Sequence, residues 1–215
     1  MPYFKALSKY RLKSMLGFLI NLKSTEMTAT TQKMTLQEFL AYDDGTDNLY
    51  ELENGELIWM PSESEINRRI AMFLLIFFSQ QGIPSYRLTM KTEIAVSGTR
   101  VSVRLPDLLL LSEELATALE GASRSIVLMD MPPPLLAVEV VSPKQEKRDY
   151  RYKRSEYAAR GIAEYWIVDP IQQQVTILEL VEGLYEEKIY SNSDRLNSVL
   201  FPQINLTAEQ VLQKS

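Results

Sequence analysis

The chain of 215 residues contains no cysteine and no histidine. Without thiols there are no disulfides, zinc-thiolate sites, Fe–S clusters or cysteine nucleophiles. Without imidazole the commonest general base, the serine triad and most transition-metal sites are excluded. Any metal must therefore bind through oxygen, which favours Mg²⁺, Mn²⁺ or Ca²⁺. Long apolar runs are missing as well. The strongest, Ile70 to Phe78, is far too short to span a bilayer. A net charge of −5 argues against a uniformly basic nucleic-acid coat but leaves a local patch open.

What is present reads as one soluble domain, because 46% apolar and 24% charged residues are ordinary values for a globular chain of this length. The N-terminus differs in kind. Lys5, Lys9, Arg11, Lys13 and Lys23 stand against Glu26 alone, so residues 1–26 carry about +4 and the remainder about −9. No cleavage site follows the apolar stretch Met15 to Leu22, so a basic tail or short amphipathic helix is expected there rather than a secretory signal. A translational start at Met27 is a further reading. Residues 1–33 are thus expected to lie outside a domain spanning 34–215.

Local signals then order the domain. Thr35-Leu36-Gln37-Glu38 has the form of a capping box, with a short helix to about Ala41. Asn54-Gly55 between Tyr50–Glu53 and Glu56–Met60 marks a hairpin. A helix is expected from about Ser64 to Gln81, stopped by Gly82. Continuous strands are expected over Tyr86–Val96 and Val101–Leu111, followed by a polar, Pro-rich connection from Ser112 to Pro134. A strand over Leu135–Val141 leads to a helix over Asp149–Arg160, which Gly161 ends. A strand over Glu164–Val168, a hairpin of Val175–Leu180 with Tyr185–Tyr190, and a helix over Thr207–Gln213 complete the chain. Strands and helices mixed at these spacings predict an α/β fold with an α+β-like mixed sheet.

Two apolar runs carry a carboxylate. Leu135-Leu136-Ala137-Val138-Glu139-Val140-Val141 contains Glu139, and Pro106-Asp107 heads Leu108-Leu109-Leu110-Leu111. A charge set in such a strand is costly to bury unless it is paired or holds a metal. In the helix that follows, Asp149, Lys153 and Tyr157 recur every four residues and share one stripe. Two acids and a lysine suit a metal site that cuts phosphodiesters, with the ion neutralising phosphoryl charge and the ammonium orienting water. Each residue also has a plainer reading. Asp107 could end a turn, Glu139 could pair with a structural cation, and Lys153 could be solvated.

The chain resembles a bacterial family of restriction-endonuclease-like proteins with the PD-(D/E)XK nuclease fold and a lysine migrated from strand to helix. The resemblance rests on Tyr50-Glu51-Leu52-Glu53-Asn54-Gly55-Glu56, Pro106-Asp107, Val138-Glu139-Val140-Val141-Ser142-Pro143, Asp149 with Lys153 and Tyr157, and Gly161 with Glu164 through Pro170. It extends from about Met34 to Leu212. It implies a restriction-endonuclease-like core with flanking helices and a C-terminal hairpin. It also implies Asp107 and Glu139 as metal ligands, Lys153 as catalytic lysine and Glu51 as an additional acid near the metal. Asn67 stands near the place where the family commonly carries a histidine.

The expected activity is Mg²⁺-dependent (or Mn²⁺-dependent) endonucleolytic hydrolysis of DNA in the cytoplasm, away from any membrane, with a homodimer expected by analogy alone. A catalytically inactive nucleic-acid-binding protein on the same fold is the alternative. The basic run holding Lys147, Arg148, Arg151 and Arg154 is the expected DNA contact, although such a run is often only a solvated helix face.

Overall fold

The computed structural model describes residues 33–97, 100–143 and 145–213. The extension expected over 1–33, with the alternative start at Met27, lies outside them apart from Lys33, which pairs with Glu56 at 3.0 Å.

Helix α1 (Leu36–Leu40) begins at the expected capping box. The N–H of Glu38 donates to Thr35 Oγ1, and the Thr35 N–H donates to Glu38 Oε2 at 2.7 Å. Strands β1 (Leu49–Glu53) and β2 (Glu56–Met60) meet through Asn54-Gly55, whose φ values of 51° and 82° are those of a tight primed turn. Gly55 has no substitute here, because an added Cβ would come within 2.8 Å of Lys33 Cβ. Helix α2 (Glu65–Gln80) is capped by Ser64, which accepts from the N–H of Asn67.

Two expected strands are each broken in two. The first divides into a 3₁₀ turn (Ser85–Arg87), β3 (Leu88–Thr89) and β4 (Glu93–Ser97). The break falls at Lys91, which adopts a φ of 57°. The second divides into β5 (Val101–Arg104) and β6 (Leu108–Leu110), with Pro106, which has no N–H for a ladder, between them. In both cases the chain passes from one sheet to another. The connection after Ser112 holds a helix, α3 (Glu113–Leu119), and a short strand, β7 (Ile126–Val127). Ser112 caps that helix and two glutamates occupy its first turn, where the helix dipole favours them.

The remaining elements follow the expected pattern: β8 (Leu136–Val140), a π-helical turn (Arg148–Lys153) continuing into α4 (Arg154–Arg160), β9 (Glu164–Asp169), β10 (Gln174–Val181), β11 (Leu184–Ser191) and α5 (Ala208–Gln213). One mixed sheet has the order β2-β1-β5-β4-β7 and the other β11-β10-β9-β8-β6-β3. The pairs β4–β7 and β8–β9 are parallel, and the others are antiparallel. Five α-helices flank these sheets among the described residues.

The middle strands of the second sheet, β6, β8 and β9, are buried on both faces. Leu108, Leu110, Leu136, Val138, Val140 and Trp166 pack against α2 and α5. The alternate residues Leu109, Ala137, Val141, Tyr165 and Ile167 pack with Tyr157 of α4 and with Ile94 and Val96 of β4. Complete burial of a side chain such as Leu74 or Phe78 contributes about 1.5–3 kcal/mol. No helix among the described residues is long and apolar enough to cross a membrane.

Candidate active site

Register fixes where the two acids meet. Leu108 pairs with Val138, Leu109 with Ala137 and Leu110 with Leu136, and Asp107 lies one residue beyond this ladder, lining the same cleft as Glu139. Glu139 shares the sheet face of Ala137 and Val141, which is turned toward α4. The N–H of Val140 donates to Asp107 Oδ2 at 2.6 Å, which ties the acid to the neighbouring strand. Asp107 Oδ1 accepts no hydrogen bond among the described residues.

The π turn delivers the lysine. Lys153 Nζ lies 2.7 Å from Glu139 Oε2, 3.1 Å from Asp149 Oδ1 and 3.6 Å from Glu51 Oε1, with only 4% of its side chain exposed. It is therefore a buried ammonium and not a solvated surface group. Tyr157, one stripe position on, donates from its hydroxyl to the other oxygen of Glu139 at 2.6 Å. Tyr165 donates to the carbonyl of Asp149 and holds the turn against β9. Gly161, at φ 84°, ends α4 in the left-handed conformation.

Acidic groups outnumber the single ammonium of the cleft. Burial pushes Asp107 up to about 7. Burial also pushes Glu139 up to about 8, where Lys153 opposes the shift and Asp149, Asp107 and Glu51 reinforce it. Asp149 is raised by burial as well. Burial works against charge on Lys153, but Asp149, Glu139 and Glu51 outweigh it and hold its pKa well above the ordinary lysine value. One ammonium thus serves three acids, and it stays protonated.

Glu51 is placed differently from Asp107 and Glu139. Its oxygens accept from Arg104 Nη1 at 3.0 Å, from the N–H of Leu105 at 3.1 Å and from Arg148 Nη2. Burial opposes its charge, yet Lys153, Arg104 and Arg148 bring it down to about 2. Arg104 is fully buried and also grips Glu156 of α4 with two hydrogen bonds of 2.7 and 2.8 Å. Glu51 therefore sits behind the lysine in a network joining β1, β5 and α4.

The expected DNA contacts divide. Arg148 turns inward to Glu51, Glu53 and Gln145. Arg154 engages Glu187 and the carbonyl of Tyr185. Lys147 and Arg151 are exposed and form no salt bridge among the described residues.

Asn67 lies at the N-terminus of α2 and donates from Nδ2 to the carbonyl of Val140 and to Ser142 Oγ, each at 3.0 Å. It straps that helix to the end of β8. Asp107, Glu139, Lys153, Asp149 and Asn67 line one cleft of about 90 Å³, room for roughly three waters. Asp149 was absent from the expected catalytic set, although its four-residue spacing to Lys153 was visible. Glu63, at the rim of the same cleft, carried no sequence signal.

No group of three or more acids is placed to hold a metal ion among the described residues. Asp107 and Glu139 nonetheless suit a hard cation. They are oxygen donors on adjacent strands, crowded into a desolvated cleft whose acids outnumber its ammonium. A small divalent ion of the Mg²⁺ type needs only one or two carboxylates, with water and phosphate completing its shell.

Residues 36–209 match the Uma2 family, described as "Putative restriction endonuclease". Among solved structures, a putative nuclease belonging to DUF820 from Anabaena variabilis superposes with a TM-score of 0.66. The identity is 16%, over 83% of this chain and 97% of that one, so the likeness shows the fold. No curated protein matches the chain.

Proposed function

Because the chain belongs to the Uma2 family of putative restriction endonucleases, we propose that it is a Mg²⁺- or Mn²⁺-dependent endonuclease hydrolysing phosphodiester bonds in DNA. The observation that carries this reading is the Lys153 ammonium, buried 2.7 Å from Glu139 in a cleft that Asp107 also lines.

Asp107 and Glu139 would hold the ion, which when bound supplies Lewis-acid stabilisation of phosphoryl charge and a more acidic water. Lys153 acts as a fixed positive charge, since three carboxylates keep it protonated. Its ammonium donates hydrogen bonds toward developing negative charge and is not the proton acceptor. Tyr157 orients Glu139 by donating to one oxygen while Lys153 occupies the other. Glu51, Arg104 and Glu156 set the position of the lysine-bearing helix, and none of them lines the cleft.

The test is single-turnover cleavage of labelled DNA with Mg²⁺ or Mn²⁺ by the wild type and by Asp107→Asn, Glu139→Gln and Lys153→Met. Circular dichroism checks that each variant is folded. Loss of one such group is expected to slow cleavage by about 10²–10³-fold. A folded wild type inert on duplex and single-stranded DNA with either ion would overturn the reading, as would variants that cut at the wild-type rate.

A further inference from the structure

A second, larger groove of about 430 Å³ adjoins the acid cleft, sharing Met60 to Glu63, Leu105 and Asp107 with it. Its size falls in the range of small-molecule sites. Trp59, Leu49 and Met90 supply apolar surface, and Arg68, Lys91 and Asn48 supply donors. From these features we infer that the groove seats an unpaired nucleotide next to the scissile phosphate, with its base stacked on Trp59. This rests on the nuclease reading above and narrows its substrate to strands that offer an unstacked base.

Three observations support the assignment. Trp59 lies on β2, an edge strand of its sheet, and is 56% exposed, so a large aromatic surface lies open beside a hydrolytic cleft. A planar aromatic of this kind binds bases of any sequence through their π-faces. Lys91 stands in the left-handed region at φ 57°, uncommon for a long side chain, and forms no salt bridge among the described residues. That conformation, at the break between β3 and β4, sets Lys91 at the wall of the groove as one of its cations. Arg68 adds a second cation, whose one salt bridge among the described residues is an exposed pair with Glu65.

The groove is not uniformly basic, for Asp47, Glu63 and Asp107 also line it. That mixture does not suit tracking a duplex backbone, where phosphate contacts dominate affinity. It does suit one base held by stacking with a few charged contacts. In an intact duplex the base faces are hidden inside the stack, so a base that reaches Trp59 must be unpaired.

The test uses the full chain in EDTA, so that nothing is cut, with a short fluorescently labelled single-stranded oligodeoxythymidylate as the probe. Trp166 is fully buried, so quenching of tryptophan emission on addition of the unlabelled strand reports on Trp59. Quenching is expected, and Trp59→Ala is expected to weaken binding by anisotropy about tenfold or more. Lys91→Ala should lower the salt slope by about one. A blunt duplex of mixed sequence should neither quench nor compete.

The inference is overturned if the single strand fails to bind, binds without quenching, binds Trp59→Ala with unchanged affinity, or is matched by the duplex. Binding and quenching without cleavage under any cation would sink the hydrolytic reading alone. Cleavage indifferent to Trp59→Ala would sink the groove alone.

Discussion

At 4% exposure the side chain of Lys153 has lost nearly all its hydration, and Asp149, Glu139 and Glu51 replace that water between 2.7 and 3.6 Å. Breaking a buried pair of this kind by removing one partner costs about 3–5 kcal/mol, because the other charge stays behind. Glu51 illustrates the pH consequence. Its carboxyl is held at about 2 in the fold against an ordinary 4.5. A depressed pKa means that the folded protein binds fewer protons there than the unfolded chain. Its contribution is therefore present above about pH 4.5 and is lost as pH falls toward 2. Urea denaturation between pH 5 and 2.5 should show stability falling with acid, and Glu51→Gln should flatten that fall; an identical acid limb in the variant would contradict it. Asp107 and Glu139 were legible because an acid in an apolar strand is a local signal, whereas the helical spacing of Lys153 fits a solvated lysine equally well and only its place in the family motif singled it out. The setting of Glu51 was not legible, since its partners Arg104 and Arg148 come from distant parts of the chain.

Elements with their own punctuation were legible from it. Thr35 with Glu38, Asn54-Gly55, Ser64, Gly82 and Gly161 each marked a terminus or turn that the structure carries. Alternation failed at Tyr86–Val96 and Val101–Leu111 for one reason. Two buried strands joined end to end keep the same apolar character, so periodicity does not reveal the point where the chain changes sheets. Pro106 was the available clue at one of them. The π turn at Arg148–Lys153 left no mark in the pattern either, because an extra residue per turn has no compositional signature. Gly161 offers a test at this scale. An added Cβ would meet only Pro133 Cγ, at an ordinary 3.8 Å, so the strain of Gly161→Ala comes from its φ of 84°. A loss of about 1–2 kcal/mol in urea denaturation is expected. An unchanged midpoint would show that α4 ends without needing the left-handed residue.

Across the whole molecule, the sheet holding Asp107 and Glu139 meets the sheet holding Glu51 and Arg104 through the lysine-bearing helix. The bidentate grip of Arg104 on Glu156 is one of the bonds that set that helix in place. Strands β6 and β8 are packed on both faces, which leaves the two acids little freedom to separate. Desolvation has raised Asp107 to about 7, so a bound cation must displace its proton. Affinity should rise as pH increases from about 6 to 8. The most direct measurement is a calorimetric titration of the full chain with Mn²⁺ at neutral pH, set beside Asp107→Asn and Glu139→Gln. Binding with proton release in the wild type, lost in both variants, is the predicted result. No heat of binding, or binding unchanged by Glu139→Gln, would contradict it.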